Sequence, residues 1–417
     1  MVERITVRPG GPLTGTVAVA GAKNSVLKMM AASLLVEGTT VLTNVPQITD
    51  VASMGELLRY MGVGVDHQGD ELRLDRPTQV RPAAPYELVE KMRASINVLG
   101  PLLGRFGRAT VALPGGDDFG PRPIDMHLRG LEALGATVRY AHGNIELTAD
   151  QLLGTAVTLD FPSLGATENV LTAAVLAKGE TVIENAAREP ELVDLAAFLN
   201  RMGANVVGAG TSTIRVEGVP VLSPVQHEVM PDRIEAATFL AAVAMAGGEI
   251  TVQGARIEHM DMLVVKLGQM GMRISPTVDG VWAMAPERLR SADIATLPYP
   301  GLASDYKPLL VALLTVADGT GIVTENLFSG RFRYIDELIR MGADIRTDGH
   351  HAIIQGVARL SGAPVRAHDI RAGAALVVAA LAADGETVVG DAHHIERGYE
   401  RFVAKLRSLG ADIDSDC

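Results

Sequence analysis

Residues Thr167–Val206 read TENVLTAAVLAKGETVIENAAREPELVDLAAFLNRMGANV. The stretch opens on an almost wholly apolar run, turns at Gly179, passes through the β-branched segment TVIE and enters a run whose apolar residues recur every three or four positions. An apolar run without a polar stripe predicts a helix buried on every side, whereas the later periodic run predicts an amphipathic helix. The second helix closes on Met202–Gly203 before another β-branched segment, the pattern of a glycine C-cap that leads into a strand. The order is helix, strand, helix, strand.

The same phrase recurs along the chain. Copies begin at Lys23 (KNSVLKMMAASLLVEGTTVLTNVP, later ELLRYMGVGV), Arg93 (RASINVLGPLLGRFGRATVALPGG, later LRGLEALGATV), Thr167, Arg233 (RIEAATFLAAVAMAGGEITVQGA, later LGQMGMRI), Asp305 (DYKPLLVALLTVADGTGIVTE, later ELIRMGADI) and Ala372 (AGAALVVAALAADGETVVGDA, later LRSLGADI). Spacings of roughly 65 to 75 residues are too long for a solenoid repeat and suit a packed supersecondary unit. Six ordered copies argue for internal repetition, against a generic α/β enzyme with coincidental helix endings.

A chain of 417 residues exceeds one ordinary core, so two domains or one large repeat architecture are expected. Aliphatic residues dominate a 47% hydrophobic fraction with only 4% aromatics, and 44 glycines imply many tight turns, as in α/β proteins. A formal charge of −12 argues against a general nucleic-acid or anionic-membrane surface. The sole cysteine is Cys417, so neither an internal disulfide framework nor a cysteine metal site is available. With no signal-peptide pattern and no apolar run of membrane-spanning length, a soluble cytoplasmic protein is expected.

Charged residues gather where the first helix of a copy begins: Lys23, Arg93, Arg233, Asp305 with Lys307, and Asp369 with Arg371. Helix N-termini carry unpaired N–H groups and a positive dipole end, so cations placed there suit a phosphate or carboxylate. Arg122, Arg331 and Arg397 stand in Gly- or Pro-flanked segments, GPRPID, FSGRFRY and IERGYER, and are candidates for the same anionic ligand. Each of these arginines taken singly also reads as a solvated charge or a cap. The His pairs at His350 and His393 lack ligand spacing, so no metal is assigned. GVGVDHQGD from Gly62 lacks the spacing of a dinucleotide fingerprint. In LPGGDDFGPRP, Leu113–Pro123, two aspartates sit in a glycine turn; Asp117 and Asp118 read either as turn formers or as functional carboxylates.

Together GAKNSVLKMMAASLL, RASINVLGPLLGRFG, LPGGDDFGPRPIDMHLRGLEALGA, GATENVLTAAVLA, IENAAREPE, FSGRFRYIDELIRMGAD and IERGYERFVAKLRSLGA resemble the UDP-N-acetylglucosamine 1-carboxyvinyltransferase family, over about residues 8 to 413. The resemblance implies an inside-out α/β barrel: two domains, each of three βαβαββ repeats around buried helices, with the active site in the cleft between them. It places one domain at 23–230, with a catalytic loop near 113–123, and the other at 1–22 plus 231–417. The implied reaction moves the enolpyruvyl group of phosphoenolpyruvate onto the 3′-hydroxyl of UDP-N-acetylglucosamine and releases phosphate, through a tetrahedral ketal. In the family this is the first committed step of peptidoglycan precursor synthesis, and it needs neither metal nor cofactor.

Residue by residue, the resemblance makes Asp305 the carboxylate beside the sugar hydroxyl and Lys23, Arg122 and Arg397 the cations around the phosphate. Arg331, Arg371 and Asp369 complete the anion-binding ring, with Leu327 a further substrate contact. Asn24 is implied to touch the sugar; Arg93, Arg122, Pro123, Ile124, Asp125, Ser163, Leu164 and Gly165 match segments that contact uridine and diphosphate. Asp117 stands where most members carry a loop cysteine, so it is implied to be the proton donor and the enzyme to resist fosfomycin, which alkylates that cysteine. Implied partners are the two substrates only, with no nucleic acid or membrane, and the oligomeric state stays open. The segment PGLASDYKP departs from the family pattern: Lys307 replaces an amide and adds positive charge near the acceptor. That leaves as alternative a paralogue acting on another nucleotide such as UMP. The shikimate-branch relative, 5-enolpyruvylshikimate-3-phosphate synthase, shares fold and donor, but its characteristic motifs are not seen.

Overall fold

The computed structural model describes residues 2–113, 123–328 and 330–416. It separates into two compact units: an inserted unit within Gly21–Met230, and a terminal unit formed by the chain up to Ala20 and from Pro231 onward. Each unit has its own hydrophobic core.

Six helices, one per sequence copy, form those cores. They are α1 (Lys23–Ala32), α2 (Leu99–Phe106), α3 (Leu164–Ala174) in the inserted unit and α4 (Arg233–Ala246), α5 (Lys307–Leu314), α6 (Ile370–Ala380) in the terminal unit. Every residue of α5 and α6 is buried, as is α4 from Arg233 to Met245. Helices apolar on all faces have no other stable place. The strands instead alternate: Thr213–Glu217 runs exposed, buried, exposed, buried, exposed, so each sheet turns one face to the helices and one to solvent. The result is helices inside and sheets outside, the arrangement the repeats implied.

Among the described residues the strands form six four-stranded sheets of one pattern. In the sheet Ala156–Thr158, Glu180–Glu184, Thr213–Glu217, Asn205–Val207, the first two strands are parallel, joined across α3, and the last three antiparallel. Three sheets borrow a strand from far along the sequence, one of them taking Leu13–Ala18 alongside Gly248–Gln253. Arg4–Val7 lies between Thr387–Gly390 and Ile413–Ser415, and Gln226–Glu228 completes the sheet of Gly38–Thr43. Both units are thereby sealed by a strand from the opposite end of their own segment, which ties the ends down against fraying.

The glycine that ends the second helix of each copy is a single structural position. Gly62, Gly135, Gly203, Gly271, Gly342 and Gly410 all have φ between +88 and +103°, where a side chain would strain the backbone. A second requirement is closeness: a Cβ on Gly100 would sit 2.3 Å from both Asn169 O and Thr172 Oγ1, so α2 reaches α3 only through glycine. Among the described residues no helix is long and apolar enough to cross a membrane.

Candidate active site

In the terminal unit the chemistry collects at the beginnings of α4, α5 and α6. Asp369 caps α6, its Oδ1 accepting the N–H groups of Arg371 and Ala372 at 2.8 and 2.9 Å. Asp232 caps α4 in the same way through Ile234 and Glu235. These caps satisfy the first amides. They also set Arg371 and Arg233, each at the start of its helix and each nearly inaccessible.

Asp305, just before α5, stands between two of these cations. Its Oδ1 accepts from Arg331 Nη1 at 2.8 Å, and its Oδ2 lies 3.7 Å from Arg371 Nε. Burial works against the charge on Arg331, but Asp305 and Asp369 outweigh it and hold the guanidinium above its ordinary range. Arg371 is likewise held up against burial, by Tyr399 and then by Asp305 and Asp232. Arg371 also stacks on the Tyr399 ring at 5.1 Å, and Arg233 donates to Tyr306 Oη at 3.1 Å. The arrangement is a carboxylate, still 28% exposed at its side chain, flanked by two buried guanidiniums. Such a group can orient and deprotonate a hydroxyl while the cations bind an anion.

Arg397 ends the short helix His393–Glu396 and is half-buried. Leu327 donates its N–H to Glu325 Oε1 at 2.8 Å. The structure therefore brings together Asp305, Arg331, Arg371 and the Asp369 cap.

The inserted unit holds the remaining predicted residues. Lys23 opens α1 and pairs with Asp50 Oδ2 at 2.8 Å; Asn24 follows it, half-buried. Arg93 starts a 3-10 turn, Arg93–Val98, ahead of α2, and donates to Pro123 O at 3.3 Å. Ile124 precedes the helix Asp125–Ala133, and Asp125 is bound by Arg129 at 2.7 Å. Ser163 caps α3, with Leu164 and Gly165 as its first residues. A Cβ on Gly165 would meet His127 Cε1 at 2.9 Å, so the imidazole lies directly against this turn. That imidazole is neutral: burial, then Arg93 and Lys28, push its pKa down to about 3. Asp117 and Arg122 lie outside the described residues.

One sequence-based expectation is corrected. The Lys307 charge does not stand open to a ligand: its side chain is fully buried, and its Nζ bonds Glu325 Oε2 at 2.8 Å. Nζ also donates to the main-chain carbonyl of Arg331 and lies 4.0 Å from the Phe332 ring centroid. The reason is that α5 is enclosed from its first residue, so this side chain can only find partners inside.

The description "EPSP synthase (3-phosphoshikimate 1-carboxyvinyltransferase)" belongs to the family model that matches residues 7–406. A UDP-N-acetylglucosamine 1-carboxyvinyltransferase of Mycolicibacterium paratuberculosis is 51% identical over 99% of both chains, and one of Nocardia farcinica is equally similar over the same shares. The chain belongs to the UDP-N-acetylglucosamine 1-carboxyvinyltransferase family, within the wider EPSP synthase family. Among solved structures, the enolpyruvyl transferase NikO from Streptomyces tendae superposes with a TM-score of 0.89 at 26% identity, each chain covered completely. An EPSP synthase from Acinetobacter baumannii gives 0.77 at 20% identity over the full length of both chains, which shows the shared fold.

For this carboxyvinyltransferase family member, sequence reading overlooked three supporting groups. Glu325 accepts from Thr296 Oγ1, Ser304 Oγ, Leu327 N, Phe328 N and Lys307. Tyr399 bonds Thr238 at 2.8 Å beneath Arg371. Lys28, Asn97 and Glu168 form a buried set in the inserted unit. Their one sequence signal is an ionisable residue inside an apolar segment, which says that a partner is needed and not which one.

Proposed function

We propose that the protein is an enzyme that transfers the enolpyruvyl group of phosphoenolpyruvate to the 3′-hydroxyl of UDP-N-acetylglucosamine, with release of phosphate. The observation that carries this reading is full-length 51% identity to relatives of that name, in a chain whose Asp305 is held by two buried arginines.

The chemistry asks for little beyond what these residues supply. Asp305 takes the hydroxyl proton as the sugar oxygen bonds to C2 of the donor, and C3 receives a proton. Phosphate then leaves C2 while C3 returns a proton, which restores the vinyl group. Asp117, assigned from sequence, is the proton donor to C3. Arg331, Arg371, Arg397, Arg122 and Lys23 neutralise the donor's phosphate and carboxylate as charge shifts between them. Ser163, Leu164, Gly165, Arg93 and Pro123–Asp125 receive the nucleotide, a pyrophosphate being suited to the amides at the start of α3.

A nucleotide acceptor other than the sugar nucleotide was suggested by the departure of PGLASDYKP from the family pattern, and the burial of the Lys307 ammonium on Glu325 weakens the part of that argument that rests on its charge. The test is phosphate release from phosphoenolpyruvate with UDP-N-acetylglucosamine, with UMP and with no acceptor. Release only with the sugar nucleotide is expected; release with UMP alone would overturn the reading. D305N should bind the sugar nucleotide and turn over on the order of 10² to 10⁴ times more slowly.

A further inference from the structure

Glu325 stands one residue beyond the strand Thr320–Thr324, and its carboxylate is completely enclosed. Oε1 accepts Thr296 Oγ1 at 2.6 Å and the N–H groups of Leu327 and Phe328 at 2.8 and 3.1 Å. Oε2 accepts Ser304 Oγ at 2.7 Å and Lys307 Nζ at 2.8 Å.

The direction of each bond is determined. A carboxylate only accepts, so the single proton of Ser304 points to Glu325. The Ser304 oxygen is then left as an acceptor, and Arg331 Nη1 donates to it at 3.2 Å. The same Nη1 donates to Asp305 Oδ1 at 2.8 Å. From the same oxygen of Glu325, Lys307 reaches the main-chain carbonyl of Arg331. Arg331 is therefore gripped twice from one carboxylate, at its guanidinium through Ser304 and at its backbone through Lys307.

We propose that Glu325, acting through Ser304 and Lys307, is a positioning residue that clamps Arg331 at both ends and so holds its guanidinium on Asp305. Neither Glu325 nor Lys307 has an exposed side chain, so they act on the reaction through the groups they hold, Arg331 and, for Glu325, the main chain at Leu327. The catalytic half of this inference rests on the proposed function; the geometric half does not. A guanidinium fixed to a buried hydroxyl and a carboxylate keeps the site in its working arrangement without substrate. A displacement near 1 Å at such a site costs on the order of 10²-fold in rate.

The experiment compares the parent enzyme with S304A, S304T, K307Q and E325Q, each checked for folding by circular dichroism. Arginine-labelled protein should give slow guanidinium rotation for Arg331, with separate Nη1 and Nη2 nitrogen resonances, in the parent and S304T. In S304A the two resonances should merge. S304A should also lose on the order of 10- to 100-fold in kcat, with KM for the sugar nucleotide changed less than about threefold, and S304T should recover most of the loss. K307Q, which keeps an N–H donor but not the charge, should fall between them. If S304A keeps separate resonances, or S304A and K307Q both keep parental kcat, the clamp is wrong. S304A is the deciding variant, because E325Q leaves a buried ammonium and is open to misfolding. A parent that releases no phosphate would refute the proposed function while the resonance comparison still judged the clamp.

Discussion

Each unit contains a buried lysine–glutamate pair, and the two pairs behave in opposite ways. Lys28 and Glu168 meet at 2.7 Å in the inserted unit; Lys307 and Glu325 meet at 2.8 Å in the terminal unit. Burial pushes the pKa of Glu168 up, and Lys28 and Asn97 offset it only in part. Burial also works against the charge on Glu325, though less strongly, and Lys307 with the hydroxyls of Thr296 and Ser304 outweighs it and brings the pKa below the ordinary carboxylate value. Glu168 projects from the middle of α3, where the backbone has no amide to spare, and among the described residues its Oε1 has no hydrogen-bond partner. Glu325 follows a strand end, where the amides of Leu327 and Phe328 turn toward it. Both carboxylates have a lysine; what separates them is the further donors, one side-chain amide at Glu168 against two hydroxyls and two main-chain N–H groups at Glu325.

The sharpest way to break this comparison is to remove each carboxylate's charge. E325Q should lose about 3 to 5 kcal/mol of unfolding free energy, because it strands a fully buried ammonium among donors. E168Q should lose about 1 to 2 kcal/mol, since the carboxyl already resists ionising and the lysine keeps some access to water. Equal losses in urea denaturation would refute the donor-count argument.

Replacing both partners by apolar residues should separate the pairs again. K307M/E325M orphans two hydroxyls and two amides and should be destabilised by at least about 2 kcal/mol. K28M/E168M orphans only the Asn97 amide and should stay within about 1 kcal/mol of the parent, because an apolar replacement of a buried pair is often neutral. A K28M/E168M protein that melts well below K307M/E325M would reverse the comparison.

Stability against pH gives a smaller contrast. A raised carboxyl pKa means that the folded state binds more protons than the unfolded state above pH 4.5. Glu168 thus stabilises at low pH, and its contribution fades as pH rises through the folded value. Lys307 is shifted down from 10.5 to about 8, chiefly by burial, so its contribution is present above 10.5 and lost as pH falls through 8. Melting-temperature profiles of E168Q and the parent should diverge as pH rises above 4.5, while K307Q should diverge between 8 and 10.5. A parent–E168Q difference constant from pH 4 to 7 would rule out the shift at Glu168.

The smallest effect sets the floor. Arg129 bridges Asp125 and Asp160 on an exposed surface, and R129A should leave the melting temperature unchanged.

Much of the fold was legible because it repeats. Apolar helices such as LLVALLTVA and the glycine that closes each second helix are local signals, and six copies reinforce one another. The first helices begin within a few residues of the copies' leading positions, at Leu164 where Thr167 led and at Ile370 where Ala372 led. The cap Asp369 was visible only as a charge near a helix start, and the cap Asp232 was not singled out; that they spend their oxygens on amides is a matter of backbone direction. Lys307 was misread because nothing local distinguishes a lysine at the mouth of a site from one turned inward.

Taken alone, the sequence determined the repeated unit, the interior position of its helices and the ionisable residues at their starts. These follow from apolar periodicity and the φ requirements of glycine, which act over a few residues. Tertiary structure decided which of those charges meet. Asp305 finds Arg331 and Arg371 across 26 and 66 residues of chain, and the strand Arg4–Val7 pairs with one nearly four hundred residues away. Electrostatic partnership depends on distance in space and on the donors that the backbone leaves unused, and both exist only once the helices have packed.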